Sequence, residues 1–396
     1  MITISKLAAS VQPSATLAAG AKARQLRAKG IHVYDYSLGE PDFPTPAHIC
    51  EAATQAMRDG HTHYTPVNGV PELRAAISRW YQKRYGYEFS PDLVMVSNGA
   101  KQSIHNALIA TCNPGDEVII PIPYWVSYSD LVSMTGAVPV YVNTTAASQF
   151  KMTPEQFRAA ITPRTKMVMM NSPCNPTGTV YTRDELSAIA DIVIEKNLIL
   201  MSDEIYEQLV FDGLEATCMV TLRPELRERT ITISGASKGY AMTGWRMGWS
   251  IAPENVTKAM NTVQSQETSC PSSISQYALI AALDGSHDCV EEMRREFDLR
   301  RQMVCEKLAA IPLITFPKPQ GAFYVFFDVS GYFGQTRGGV VIQDSQSFCL
   351  AALEQAHVNL VPGIAFGAEG FARMSYATSR EQLEGGLRAL HSWLVG

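Results

Sequence analysis

Several things are scarce in this 396-residue chain, and each scarcity removes a class of protein. Charged residues make up only 18% of it, and 33 lysines and arginines stand against 38 aspartates and glutamates. A formal net charge of −5 leaves no basic footprint of the kind that nucleic acids or anionic membranes attract. No apolar run reaches the length that spans a bilayer. Met1 to Gly20 carries Lys6 as its one charge and lacks the continuous apolar core of a secretory leader. The eight cysteines (Cys50, Cys112, Cys174, Cys218, Cys270, Cys289, Cys305 and Cys349) never form a C-x-x-C pair. That argues against a disulfide framework or a zinc site, so no metal is expected and a reducing cytoplasm is the expected compartment. Internal repeats and low-complexity linkers are absent too.

What is present is 46% hydrophobic residues in a chain long enough for two domains with substantial cores. Apolar, β-branched stretches at 93–96, 117–120, 138–142, 167–170, 198–201, 230–234 and 247–251 alternate with amphipathic stretches at 101–112, 183–196 and 253–265. Strand–helix alternation predicts an α/β fold with a mostly parallel seven-stranded sheet flanked by helices. The texture changes after about Cys289. A charged helix over 290–310, an aromatic strand over 321–327, strands at 357–361 and 371–376, and a last helix over 381–394 predict a smaller α+β domain. The expected division is a turn-rich N-terminal segment 1–46 packing with the small domain, a large domain 47–289, and a small domain 290–396.

The most telling residue is Lys238, in Ser234-Gly235-Ala236-Ser237-Lys238-Gly239-Tyr240. A buried strand feeds a small-residue turn that carries one lysine, and Arg246 follows eight positions later. An ammonium desolvated there loses basicity and becomes a nucleophile toward an aldehyde. Arg246 would clamp a phosphate. An aldehyde and a phosphate on one small molecule point to pyridoxal 5'-phosphate (PLP). Ser97-Asn98-Gly99-Ala100-Lys101 opens a helix whose bare N–H groups suit a phosphate. Asn171-Ser172-Pro173-Cys174-Asn175-Pro176 is a rigid loop at a strand end, where α/β sheets place ligands, or else a plain Asn-Pro turn. Asp203, three residues before Tyr206, is either a partner for a pyridine nitrogen or a helix cap. The cluster Pro123-Tyr124-Trp125-Val126-Ser127-Tyr128 offers a stacking face, or is simply core. Arg373, a charge inside an apolar strand, needs an anion: a substrate carboxylate or an internal salt bridge.

Together these motifs resemble the class I (fold type I) PLP-dependent aminotransferases, and among them the bacterial aspartate aminotransferases. The likeness runs from Pro13-Ser14-Ala15-Thr16 through Gly39-Glu40-Pro41-Asp42-Phe43, Tyr64-Thr65-Pro66 and Gly69-Val70-Pro71-Glu72 to Gly321-Ala322-Phe323-Tyr324 and Arg373-Met374-Ser375-Tyr376. It implies that Lys238 carries PLP, Asp203 pairs the ring nitrogen, Asn175 and Tyr206 bind the phenolic oxygen, and Trp125 stacks on the ring. It puts Gly99, Ala100, Ser237 and Arg246 around the phosphate, with Tyr64 reaching the phosphate of a neighbouring subunit, hence a homodimer with shared sites. Gly39 and Arg373 would hold the substrate α-carboxylate, with Trp125 and Asn175 beside it. Lys101 and Thr16 would meet a distal carboxylate, unless Lys101 is a solvated first-turn lysine. Lys238, Asp203 and Tyr206 are the implied catalytic residues.

Gly235 stands where many relatives of this class have a phosphate-binding serine, and Cys174 replaces a frequent Asn or His. Ser265 sits where another aspartate subgroup carries an arginine. The implied reaction is L-aspartate plus 2-oxoglutarate giving oxaloacetate plus L-glutamate, in ping-pong fashion. Alternatives are a broader aminotransferase taking aromatic acids or prephenate, which Gln12 in place of a basic residue disfavours, and a PLP-dependent β-lyase. A regulator's sensor domain would need a DNA-binding module, and no helix-turn-helix is legible before Pro13 or after Arg373.

Overall fold

The computed structural model describes residues 2–11, 13 and 15–396, with the backbone alone for 15–17. Seven strands form the main sheet: β1 Val94–Asn98, β2 Glu117–Ile122, β3 Val138–Asn143, β4 Thr165–Asn171, β5 Ile199–Asp203, β6 Thr230–Gly235 and β7 Met247–Ile251. Their order is β1-β7-β6-β5-β4-β2-β3. All run parallel except β7, which is antiparallel to both its neighbours, β1 and β6. Every residue of β6 and β7 is buried, the small polar Thr230, Thr232, Ser234 and Ser250 included, which matches a sheet covered on both faces. Short reaches of turn chemistry start the helices. Thr182, for instance, caps the helix Arg183–Glu195 in a reciprocal pair with Glu185.

A second core lies around a three-stranded antiparallel sheet, in the order β9-β10-β8, of β8 Tyr324–Asp328, β9 Val361–Pro362 and β10 Phe371–Ser375. The helices Asp288–Ala309 and Arg380–Val395 pack on it through Phe297, Val304, Leu383 and Leu387. Each such side chain, fully buried, is worth about 1.5–3 kcal/mol.

Three expectations are corrected. The N-terminal segment is not mainly turns: Ala15–Ala28 is a helix of fourteen residues. The stretch read as one strand at 357–361 is two. Val358–Asn359 pairs in parallel with Tyr34–Asp35, while Val361–Pro362 joins β10. Helices at Ala47–Arg58, Pro71–Tyr85, Ser273–Asp284 and Ser345–Gln355 were not read from the sequence. In Pro71–Tyr85, Ser273–Asp284 and Ser345–Gln355 the apolar residues are diluted by Ala, Ser and Gln, so the period is weak. Ala47–Arg58 does bury one face, through Ile49, Ala53 and Ala56, and was missed all the same. Tyr36, just beyond the N-terminal bridge, is buried in the second core, and the Ser375 amide donates to its carbonyl.

All eight cysteines are free. Among the described residues no helix is long and apolar enough to cross a membrane, and no cluster of His, Cys, Asp or Glu could hold a metal ion.

Candidate active site

Parallel strands bring their carboxyl ends to one rim of the sheet, and the antiparallel β7 adds its beginning to the same rim. Its register sets Met247 opposite Asn98 and Gly248 opposite Gly235. Arg246 therefore arrives beside the end of β1. Gly99 takes φ 84°, a conformation that favours glycine, and turns the chain into the helix Ala100–Thr111, whose start has no side-chain cap. A Cβ on Gly99 would lie 2.3 Å from Nη2 of Arg246, and one on Gly248 would lie 2.2 Å from the Ala100 nitrogen. Two missing side chains thus let a guanidinium and a helix N-terminus close on one point. Arg246 is steadied there by donating to the carbonyls of Thr243 (2.9 Å) and Asn98 (3.3 Å). Gly235 is crowded as well. A Cβ there would come within 2.9 Å of the Met247 carbonyl, so a serine could not enter without a shift.

Asp203 ends β5, directly opposite Asn171 of β4 and Ile233 of β6. Burial pushes its carboxyl up to about 6. The Tyr128 hydroxyl opposes this by donating to Oδ2 at 2.5 Å, and the Ile205 amide donates to Oδ1 at 3.2 Å. The carboxylate does satisfy a local N–H, as a cap would, yet no cation forms a salt bridge with it among the described residues. Tyr128 and Trp125 stand edge to face, ring centroids 5.4 Å apart, and Nζ of Lys101 lies 5.0 Å from the Trp125 ring centre. Burial, and secondarily Arg246, pull the Lys101 ammonium below its usual range.

Lys238 follows the fully buried β6 and donates from Nζ to the Gly39 carbonyl at 2.5 Å. Burial brings its pKa down to about 8. Ser237 beside it is buried.

Arg373 comes from the other sheet. It lies on β10, between Val361 and Phe326, and is 2% exposed. It donates through Nη1 to Oδ1 of Asn175 (3.0 Å) and through Nη2 to the Ser37 carbonyl (2.7 Å). Nε is buried with no partner, and among the described residues no carboxylate pairs with this guanidinium. The internal salt bridge open on sequence grounds is therefore not what holds it.

A cavity of about 320 Å³ collects these groups. Gly39, Ala100, Lys101, Trp125, Asn175, Asp203, Tyr206, Ser237, Lys238, Arg246 and Arg373 all line it. Gly99 does not line it but abuts Arg246, which does. Tyr64 does not line it and is 91% exposed on this chain. The side chain of Thr16, like Ser14 of the same motif and Gln12, lies outside the described residues. Ser265 is half-buried on its helix and donates to the Thr262 carbonyl. Cys174 is buried beside Asn175, its thiol pushed up by burial. Sequence reasoning gave no role to Tyr128 or Tyr324, both now at the site. Tyr128 lies in the aromatic cluster with Trp125, but its bond to Asp203, 75 positions away, left no local signal. Tyr324 left no signal, because nothing local says that a strand of the second core faces this cavity. A larger cleft of about 480 Å³, by Arg84 and Arg294, shares none of these residues.

The family model for class I and II aminotransferases matches residues 31–390. The chain is 46% identical to an aspartate/prephenate aminotransferase of Cereibacter sphaeroides, over the whole of both chains. It is 44% identical to an aspartate aminotransferase of Geobacillus stearothermophilus, covering 99% of this chain and 98% of that one. The solved aspartate aminotransferase of Rhizobium meliloti superposes with a TM-score of 0.97 at 41% identity, covering 100% of this chain and 99% of the other. That of Thermus thermophilus with maleate gives 0.94 at 40% identity, over the whole of both chains.

Proposed function

This chain belongs to the class I and II aminotransferases, and we propose that it transfers the amino group of L-aspartate to 2-oxoglutarate with PLP as its cofactor. The observation that carries the reading is the buried Lys238 facing the same cavity as Asp203, Arg246 and Arg373. The residues suit PLP on their own chemistry. Gly99 and Gly248 leave room where a Cβ would collide, beside a guanidinium and an uncapped helix start, which suits a phosphate. Asp203 is a buried carboxylate without a cation of its own, which suits a protonated pyridine. Arg373 keeps a buried, unpartnered Nε, which suits a planar carboxylate.

Gly99, Ala100, Ser237 and Arg246 would hold the phosphate, Asp203 the ring nitrogen, Asn175 and Tyr206 the phenolic oxygen, and Trp125 the ring face. Bound there, the cofactor supplies an electron sink that makes the α-hydrogen of an amino acid acidic and carries its amino group between two half reactions. Lys238 anchors the cofactor. With a pKa near 8, its Nζ is poised to take the proton from the substrate Cα and return it. Asp203, whose charged form the Tyr128 hydroxyl favours, would keep a proton on the ring nitrogen. Arg373 and Gly39 fix the α-carboxylate and so orient the Cα–H bond. Lys101, resting over Trp125, would meet the distal carboxylate; the part expected of Thr16 rests on the sequence motif alone.

The Thermus enzyme bound to maleate, itself a dicarboxylate, supports this choice of substrate. The alternative is a wider range including prephenate, as in the Cereibacter relative. The reading includes the division into residues 1–46 with 290–396 and residues 47–289. It also includes a homodimer in which Tyr64 of each chain reaches the other's phosphate site, and a cytoplasmic location in keeping with unpaired cysteines.

The test is a panel of amino donors with 2-oxoglutarate, for the wild type and Lys101→Ser. Aspartate should lead, and the variant should lose about ten- to a hundredfold in kcat/KM for aspartate, the worth of a charge-assisted contact. Phenylalanine and alanine should change little. Equal losses for aspartate and phenylalanine would assign Lys101 to the cofactor or the fold and leave a general aminotransferase.

A further inference from the structure

Tyr324 lies on β8 of the second sheet, is fully buried, and lines the cavity. Three observations meet on it. Its hydroxyl is 2.8 Å from that of Tyr206, and among the described residues it is the one hydrogen-bond partner the Tyr206 hydroxyl has. The Arg373 guanidinium carbon sits 4.4 Å from its ring centre. A Cβ on Gly39 would lie 2.9 Å from its hydroxyl, so the segment that receives the Lys238 hydrogen bond closes onto the same oxygen.

We propose that Tyr324 is a positioning residue with two separable tasks: its hydroxyl orders Tyr206, and its ring carries Arg373. This rests on the cofactor and α-carboxylate roles given above. A phenol has one proton to donate. When Tyr206 spends its proton on an anionic oxygen in the cavity, its own oxygen is left buried and must accept a bond. Tyr324 is the group placed to donate it. The chain Tyr324 to Tyr206 to cavity polarises Tyr206 and strengthens its outward bond. The ring's task is independent. Arg373 is a buried cation with no carboxylate of its own, and an aromatic face offsets part of its desolvation before a substrate arrives. Both hydroxyls are pushed upward by burial, so both remain protonated at working pH. The charged groups around Tyr206 are Arg373, Asp203 and Lys238, the last 5.9 Å from its ring centre.

Phenylalanine at 324 keeps the ring and removes the O–H, while leucine removes both. The experiment compares wild type, Tyr324→Phe and Tyr324→Leu, each loaded with PLP. The first readout is the pH titration of the bound cofactor's visible absorption without substrate. The second is KM for several amino donors. Tyr324→Phe should raise the titration midpoint by about half a unit to one unit, the worth of one neutral hydrogen bond, with KM within about twofold. Tyr324→Leu should show the same rise and a KM about fivefold or more higher for every donor. If Tyr324→Leu does not fold, Tyr324→Met carries the ring arm.

Because the hydroxyl acts through Tyr206, Tyr324→Phe should add no shift in a Tyr206→Phe background. A Tyr324→Phe titration like the wild type, or an additive shift in the double variant, overturns the first task. An unchanged KM in the ring-less variant overturns the second. Wild-type protein that takes up no PLP would instead overturn the cofactor reading, and the wild type alone tells these failures apart.

Discussion

Asp203 is charged at a cost to the fold, and that cost is measurable. Its carboxyl moves from an ordinary 3.8 to about 6 because burial strips it of water. The sign follows from linkage. Between those values the folded protein binds more protons than the unfolded chain, so stability falls as pH rises, and above about 6 the whole cost is felt. A shift of about two units corresponds to about 2–3 kcal/mol. Asp203→Asn should therefore stabilise the cofactor-free protein by up to that amount at pH 7.5, and the gain should shrink toward pH 4. Urea denaturation at the two pH values checks this. Destabilisation at pH 7.5 would mean that the bonds from Tyr128 and Ile205 outweigh burial. Lys238 obeys the mirror argument, since burial lowers a lysine and readies it as a base. At this scale the sequence said much. Residue type and a strand-end position were enough to single out Lys238, Asp203 and Arg373. It could not say that Tyr128 would be the donor on Asp203, because that bond joins residues seventy-five positions apart.

At the scale of elements, the corner proposed for the phosphate depends on a helix start touching a strand. Gly248 on β7 has no side chain precisely where Ala100 begins its helix, with 2.2 Å left for a Cβ. The obstacle is backbone, so an alanine there must push the helix away rather than turn aside. Gly248→Ala should cost about 1–3 kcal/mol by overpacking and weaken PLP binding at least tenfold. Denaturant unfolding and a cofactor titration measure the two effects. Full stability with weak binding would show that the helix moves freely; unchanged binding would remove this helix start from the phosphate site. Central strands were legible because strands buried on both faces are rich in apolar and β-branched residues. The split of 357–361 between two partners was not, since two-residue bridges carry no period.

For the whole molecule, Tyr64 is a site residue expected from the sequence that stands exposed and away from its own chain's cavity. If it completes the partner's phosphate site, hybrids distinguish the arrangement. Tyr64→Phe alone should weaken PLP binding about three- to tenfold. Paired with a Lys238→Ala chain, the Tyr64→Phe chain keeps its own Lys238 and receives an intact Tyr64 from its partner. That hybrid should bind PLP at its one competent site with wild-type affinity. Weak binding in the hybrid would place Tyr64 in its own chain's site, and a monomer in sedimentation would dismiss sharing altogether.

The sequence by itself determined the seven-stranded α/β sheet, the change of texture near residue 289, and the residue types at the strand ends. These are local: burial writes an apolar run, and a strand-to-helix turn writes small residues. Tertiary structure decided which of those residues meet. The antiparallel sense of β7 carries Arg246 to the rim shared by Gly99 and Lys238. The second sheet delivers Arg373 onto Asn175, 198 positions away, and Tyr324 onto Tyr206, 118 positions away. No periodicity encodes such meetings, because they are set by how two cores pack against each other rather than by any one segment's preference.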